Sequence, residues 1–267
     1  MSIVFAYMNL KGGVGKTVLA ANMAREFVMK VKKKVLLVDL DPQCSLSHLL
    51  LTEEEFSELP RQNTTHEALW SELEDPVSLL KQDVRVVFLD RTFFQRETGA
   101  QIDLLPGSME IYNIIASGGA ADSEFCVESF RHFIAEARKL YDYVFIDTNP
   151  STNIATLCAL NVADYIISPI TMDIFAARGV LMIRKLFAER FRYLDDNAKV
   201  IGIWNMVDSR LRSSSRTSPA EEILFKKSPA AFELALTNRI YDSGYLDYRG
   251  KRKGFIVRRQ DLADRLR

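Results

Sequence analysis

The stretch that most restricts this chain is Lys11-Gly12-Gly13-Val14-Gly15-Lys16-Thr17, which follows the apolar segment Ile3 to Met8 and leads into residues of helical spacing. A glycine turn between a strand and a helix aims several backbone N–H groups and the positive end of a helix dipole at one point, which suits a phosphate chain. An ordinary phosphate loop carries a glycine five residues before Gly15, where this chain has Leu10. In its place the loop has a second lysine, Lys11, at its mouth.

Beyond the loop, short apolar runs alternate with stretches of helical period. Ile3 to Met8, Val35 to Val38, Val84 to Leu89, Ile102 to Leu105, Tyr143 to Ile146, Tyr165 to Pro169 and Val200 to Met206 read as strands. Thr17 to Val31, Ser123 to Tyr141, Asn153 to Val162 and Asp173 to Tyr193 read as helices, the last interrupted only by Gly179. Runs such as Val35-Leu36-Leu37-Val38 are continuous, the mark of strands covered on both faces. The expectation is an α/β fold, a doubly wound, mostly parallel sheet flanked by helices. Thr64-Thr65-His66-Glu67 has the form of a capping box and predicts a short helix there, in a segment, 51–101, that otherwise says little. Arg91 to Gly99 reads as a loop, as does Ser209 to Ser218; a helix from Ser218 toward Leu236, a short strand over Asn238 to Tyr241 and a terminal helix over Gln260 to Arg267 complete the reading. With 267 residues, almost half of them apolar, the chain is expected to form one domain, 1–267.

Charge and cysteine usage narrow the function classes. Lys and Arg number 35 and Asp and Glu 35, so the molecule as a whole carries no nucleic-acid signature. The distribution is uneven, with acidic runs at Glu53-Glu54-Glu55 and Glu72 to Asp75 and basic enrichment after Asn205, where any polyanion contact is expected. The lysine run Lys32-Lys33-Lys34 reads as a solvated turn. Cys44, Cys126 and Cys158 are odd in number and, like His48, His66 and His132, lack metal-ligand spacing, which fits a reducing cytoplasm. The N-terminus enters a strand rather than a leader, and no apolar run is long enough to cross a bilayer.

Two separated motifs carry a resemblance. Lys11 to Thr17 matches in full the Lys-Gly-Gly-x-Gly-Lys-Thr pattern of the deviant Walker A loop, and Asp39-Leu40-Asp41-Pro42-Gln43 is similar to the Asp-x-Asp-Pro-Gln motif of the same ATPases. The chain resembles the ParA/MinD group, and within it the ParA partition ATPases, which implies a P-loop NTPase fold of the SIMIBI type with ATP and Mg2+ as cofactors. Gly12, Gly13, Val14 and Gly15 are then the backbone donors of the cradle, with Val18 beside them; Lys16 meets the β- and γ-phosphates and Thr17 coordinates the metal. The resemblance makes Lys11 the lysine that reaches the nucleotide of a facing subunit, and Asp41 the residue tied to hydrolysis and the metal. An apolar strand closing on Asp147 has the Walker B form, whose carboxylate helps hold magnesium, while Asp39 reads as strand-end support. Asn205 stands where relatives set a polar side chain against the purine, and an asparagine leaving a strand is also an ordinary turn former. The chain departs from the group at Asn149, where relatives have proline, at Cys44-Ser45, where they favour Gly-Asn, and at Asn238-Arg239-Ile240, where many have Ile-Pro.

The leading functional expectation is a positioning switch: a homodimer closed by ATP, binding DNA without sequence preference and associating with the nucleoid, with hydrolysis stimulated by a ParB-like or other cargo adaptor. The residues for DNA are Arg210, Arg212 and Arg216 in one loop and Arg249, Lys251, Arg252, Lys253, Arg258 and Arg259 in a basic tail of about 249–267. The expectation is a chain with no DNA-reading domain before Ile3, unlike the longer, autorepressing members. A MinD-like membrane switch is the alternative; Phe255, Ile256, Val257, Leu262 and Leu266 offer apolar material, but Gln260, Asp261 and Asp264 interrupt it. A metabolic or redox enzyme on the same fold lacks support, since the cysteines miss the glycine motifs of the iron proteins, no ligase substrate pocket is identifiable, and Tyr241, Tyr245 and Tyr248 read as packing residues.

Overall fold

The computed structural model describes residues 2–59, 64–70, 99–117, 120–190, 200–207 and 239–241. The expected strand at 84–89, the expected loop at 91–99 except for Gly99, the loop at 209–218, the helix from 218 toward 236 and the basic tail at 249–267 lie outside the described residues.

Strand β1 (Ile3–Tyr7) leads through the glycine loop into α1 (Lys16–Glu26), which widens into a π turn over Phe27–Val31. The sequence predicts one unbroken helix to Val31; the change of pitch ends at Lys32, which takes a left-handed conformation (φ 57°) and turns the chain into β2 (Lys34–Asp39). Two short helices follow, α2 (Ser45–Leu50) and α3 (Glu53–Ser57), then α4 (Thr65–Trp70) and β3 (Gln101–Leu105). Helix α4 begins where the Thr-x-x-Glu pattern places it, but α3 carries a complete capping box that sequence reading missed. There the Glu55 amide donates to the Thr52 hydroxyl at 3.1 Å and the Thr52 amide to the Glu55 carboxylate at 2.7 Å.

The second half of the chain adds α5 (Ile111–Ser117), α6 (Ala120–Leu140), β4 (Tyr143–Asp147), α7 (Ile154–Val162), β5 (Tyr165–Ile170), α8 (Ile174–Arg190), β6 (Val200–Val207) and β7 (Arg239–Tyr241). Helix α7 starts where Asn153 accepts the Thr156 amide at 3.1 Å, an ordinary side-chain cap. The described strands form one sheet in the order β3-β2-β4-β1-β5-β6-β7, every neighbouring pair parallel.

Each central strand feeds two cores, which is why its sequence is apolar without alternation. Val4 and Ala6 of β1, Leu36 and Val38 of β2 and Val144 and Ile146 of β4 face a core completed by Phe130, Phe133 and Ile134 of α6, Ala155 and Cys158 of α7 and Trp204 of β6. Tyr7, Val35, Leu37 and Phe145 face the other side, under α1 and α2. The rings there meet edge to face, Phe145 lying 5.3 Å from Phe5, 5.3 Å from Phe27 and 5.7 Å from Tyr7 between centroids. Helices α1 and α7 thus leave neighbouring strands β1 and β4 toward opposite faces, which opens a crevice at the carboxyl ends of these two strands.

The opposite end of the sheet, where β1 and β5 begin, is tied by Arg138. Its guanidinium donates to the Ser2 carbonyl at 2.8 Å and the Val162 carbonyl at 3.1 Å, and pairs at 2.9 Å with Asp164, which itself accepts the Val4 amide at 2.7 Å. One side chain of α6 thereby holds the start of β1 and the α7–β5 turn together. Arg138→Met keeps the stem but strips two carbonyls and a carboxylate of their donor; we expect a loss of about 1.5–3 kcal/mol in urea unfolding, the usual scale for hydrogen bonds to a charged group.

Candidate nucleotide site

The loop lies in the crevice defined by the strand order. Val14 is fully buried in the core and pins the loop's centre, while Gly12 and Gly13 just before it are exposed. Gly15 is required by both backbone and space: its φ is 87°, and a Cβ there would stand 2.4 Å from Asn205 Nδ2. Helix α1 begins directly after it with no side-chain cap and no acidic residue in its first turn, so its leading N–H groups are left for an anion.

The loop's two lysines point to different environments. Lys16 is 7% exposed, and its ammonium donates to the backbone carbonyls of Asn9 at 3.2 Å and Lys11 at 3.5 Å. Burial lowers its pKa, with Asp147 and Asp41 acting in the opposite sense. Lys11 is 36% exposed in its side chain and pairs across the loop mouth with Asp173. Val18, counted among the cofactor contacts from sequence, has its side chain in the core under α1.

Three carboxylates close the other wall. Asp39 and Asp147 are register partners at the ends of β2 and β4, both fully buried, and Asp41 follows two residues on at 7% exposure. Asp39 is held by its own subunit: it accepts the Ser47 amide at 2.8 Å and the Ser47 hydroxyl at 2.7 Å on one oxygen and the Asp41 amide at 3.2 Å on the other. Ser47 in turn accepts the Gly107 amide at 2.8 Å, which ties the loop after β3 to the same corner. Despite these donors, burial pushes the Asp39 pKa up to about 7. Asp41 is raised by burial too, against its hydrogen bond from the Gln43 amide and the nearby Lys16.

Asp147 differs in kind. Neither of its oxygens has a hydrogen-bond partner of ordinary geometry, although the Thr17 side chain lies close enough to favour its anion, as does Lys16. Burial and the adjacent Asp39 raise its pKa well above the usual range. A fully buried carboxylate with both oxygens unsatisfied, beside a hydroxyl at the start of α1, fits a hard divalent cation with oxygen ligands. Thr17, Asp147 and Asp41 are the residues that would hold it.

Two of the group departures have visible consequences. Cys44 takes a left-handed conformation (φ 53°), which explains why glycine is favoured at that place, and its thiol is buried against Gly107. The segment after Asp147 is tied to α7 by the Thr156 hydroxyl, which donates to the Ser151 carbonyl at 2.6 Å and has the Asn149 side-chain oxygen as a second, more distant acceptor at 3.3 Å, a contact that proline lacks.

Sequence reading missed Asn9 and Asp173. Asn9 is 1% exposed; its amide donates to the carbonyls of Pro169 at 2.9 Å and Ala176 at 3.3 Å, and its oxygen accepts the Lys11 amide at 2.9 Å. Gly179 permits this, since a Cβ there would stand 2.4 Å from the Asn9 oxygen. A lone amide between an apolar strand and a glycine loop was the available signal. Asn205 is placed as a structural clamp, buried and donating to the Val14 carbonyl at 2.9 Å, and Met206 beside it is left-handed (φ 53°). The nine basic residues expected to meet DNA lie outside the described residues.

With the geometry in place, comparison with known proteins is informative. A family profile described as AAA domain matches residues 2–199. The chain is similar to the chromosome partitioning protein ParA of Myxococcus xanthus, 28% identical over 240 residues that make up 89% of this chain and 76% of that protein. Among solved structures it resembles a plasmid partition protein of Borrelia burgdorferi bound to AMPPNP, with a TM-score of 0.57 and 20% identity over 86% of this chain and 81% of that one. It also resembles cobyrinic acid a,c-diamide synthase of Mycobacterium smegmatis with an ATP analogue and magnesium bound, with a TM-score of 0.66 and 24% identity over 95% of this chain and 90% of that one. At these identities the two structures speak for the fold.

The carboxylate cluster predicts a pH dependence. Asp39 titrates near 7 when folded and near 4 when unfolded, so the folded state holds an extra proton between these values, and Asp41 and Asp147 act in the same direction. Stability contributed by the protonated form is complete below about pH 4 and is lost as pH rises through about 7. The urea midpoint of the ligand-free protein in metal-free buffer should fall between pH 5 and pH 8, and Asp39→Asn should flatten that slope.

Proposed function

This chain belongs to the AAA domain family and is a ParA-family ATPase, and from that premise we propose that it is an ATP-dependent dimerising switch that positions DNA or another cargo. In this reading the ATP-bound dimer binds DNA without sequence preference and gathers on the nucleoid, and a ParB-like or other adaptor stimulates hydrolysis. The observation that carries the dimer is the contrast between the two lysines of one loop. Lys16 is buried toward its own subunit's crevice, whereas Lys11 stands at the exposed mouth, where its charge serves a phosphate chain presented from outside.

Each step rests on a named group. Lys16 exchanges two backbone carbonyls for the β- and γ-phosphate oxygens, and the backbone of Gly12 to Thr17 with the start of α1 cradles the chain. Thr17, Asp147 and Asp41 are the residues that would hold Mg2+, which when bound would neutralise charge on the phosphates. Asp41, more accessible than Asp39 or Asp147, orients the attacking water. Lys11 from the second copy adds a positive charge where negative charge gathers in the transition state. The ATP analogues bound to the Borrelia and Mycobacterium proteins, the latter with magnesium, support ATP and Mg2+ as the ligands.

Light scattering and turnover test the core of the proposal. Lys11→Ala should abolish ATP-dependent dimerisation and lower turnover by about a hundredfold or more, the scale for losing one preorganised charge-stabilising group. Asp41→Ala should keep the dimer and lose hydrolysis. Retention of both dimer and turnover in Lys11→Ala would remove the sandwich mechanism. On the DNA step, replacing Arg252, Lys253, Arg258 and Arg259 by Glu should end ATP-dependent DNA retention at moderate salt; unchanged retention would end the tail assignment.

Asn205 offers a second discriminating measurement. If its work is to hold the Val14 carbonyl, Asn205→Ala should weaken ATP and inorganic tripolyphosphate alike, by about fivefold for one neutral hydrogen bond. A loss confined to ATP would return Asn205 to the purine.

A further inference from the structure

We propose that Asp173 is a positioning residue that parks Lys11 against its own subunit and so restrains closure of the ATP-bound dimer; this rests on the reading of Lys11 given above. Asp173 sits just before α8 and divides its carboxylate between two tasks. One oxygen accepts the amides of Phe175 at 2.9 Å and Ala176 at 3.1 Å and caps the helix. The other receives the Lys11 ammonium and the Thr171 hydroxyl, the latter at 2.5 Å. The cap fixes the carboxylate, so the ammonium is drawn to a prepared position.

The loop backbone is fixed on the same side. Asn9 joins the Lys11 amide to the carbonyls of Pro169 and Ala176, so the loop mouth, the end of β5 and the first turn of α8 form one unit. What remains free to move is the Lys11 side chain. Its pair with Asp173 is open to water on both sides, 36% and 35% exposed, and an exposed pair is weak enough for a polyanion to displace. The hydrogen bonds and the lysine hold the Asp173 pKa down to about 2, so the carboxylate keeps its charge through the physiological range. Lys11 is therefore held in cis until a phosphate chain presented by a second copy competes for it. Removing the competitor lowers the concentration at which two copies close.

Asp173→Asn separates the two tasks, because an amide oxygen still caps α8 while the charge facing Lys11 is gone. Asp173→Ala loses both and serves as the folding control, with thermal unfolding read for each. Amine acetylation of the nucleotide-free protein, followed at the Lys11 peptide by mass spectrometry and referred to the other lysines, reads the pairing without any activity. We expect several-fold faster labelling of Lys11 in Asp173→Asn, and labelling of the unaltered protein that rises toward that rate with salt. With ATP and Mg2+, light scattering should place the dimerisation midpoint of Asp173→Asn at several-fold lower protein concentration. Equal labelling overturns the pairing. Faster labelling with an unmoved midpoint, or one moved to higher concentration, overturns the restraint. Failure of the unaltered protein to dimerise with ATP would overturn the sandwich reading itself, and the restraint with it, a result distinct from the others because it appears before any substitution is made.

Discussion

Two carboxylates buried side by side govern this structure. The parallel register of β2 and β4 sets Asp39 beside Asp147, both fully buried, and neither ionises readily there. The surroundings are arranged to answer that charge. Ser47 gives Asp39 two hydrogen bonds and carries the linkage on to Gly107, so α2 and the loop after β3 are positioned by the same carboxylate. The Lys16 charge acts on Asp147 and Asp41 while its ammonium donates to the Asn9 and Lys11 carbonyls, and Thr17 approaches Asp147 from the first turn of α1. Asp147 itself keeps two unsatisfied oxygens, a cost that only a cation or a proton removes.

Against that wall the glycine loop must hold a fixed shape, and a phosphate cradle with three glycines has little side-chain packing to hold it. Two amides supply what the glycines lack. Asn205 reaches from β6 to the Val14 carbonyl, and Asn9 fastens the loop's entry to β5 and α8. Their spacing explains why the glycines sit where they do: Gly15 makes room for the first amide and Gly179 for the second. The loop is thus preorganised from the β5–β6 side, and its acidic partners come from the β2–β4 side.

The fold was largely legible because each central strand is buried on both faces. Runs such as Val35 to Val38 and Tyr143 to Ile146 read directly as strands, and their boundaries shift by at most one position. That the glycine loop and the strand-end carboxylates would meet at one crevice was legible for a related reason, since glycine, lysine and aspartate at strand ends have few competing uses. What escaped was everything that depends on a contact distant in sequence. The pairing of Lys11 with Asp173 spans 162 residues, and the clamp from Asn205 to Val14 spans 191, so neither has a local pattern. The π turn after Glu26 and the left-handed Cys44 were hidden for the opposite reason: both are backbone choices made by packing, at residues whose type does not demand them.

Strain marks the same place independently. Among the described residues, three that are not glycine have positive φ, and two of them, Cys44 and Met206, border the site. Each is adjacent to a fixed point: Cys44 closes the turn that begins at Asp41, its amide donating to the Asp41 carbonyl at 2.8 Å, and Met206 follows the Asn205 clamp. A left-handed residue with a side chain costs roughly 1–2 kcal/mol, so a sequence selected for stability alone would place glycine at both. At Cys44 the buried thiol recovers part of that cost by packing against the Gly107 corner, and at Met206 the side chain lies over Gly15. Both strained residues therefore cover the two ends of the crevice, the acidic turn and the phosphate loop.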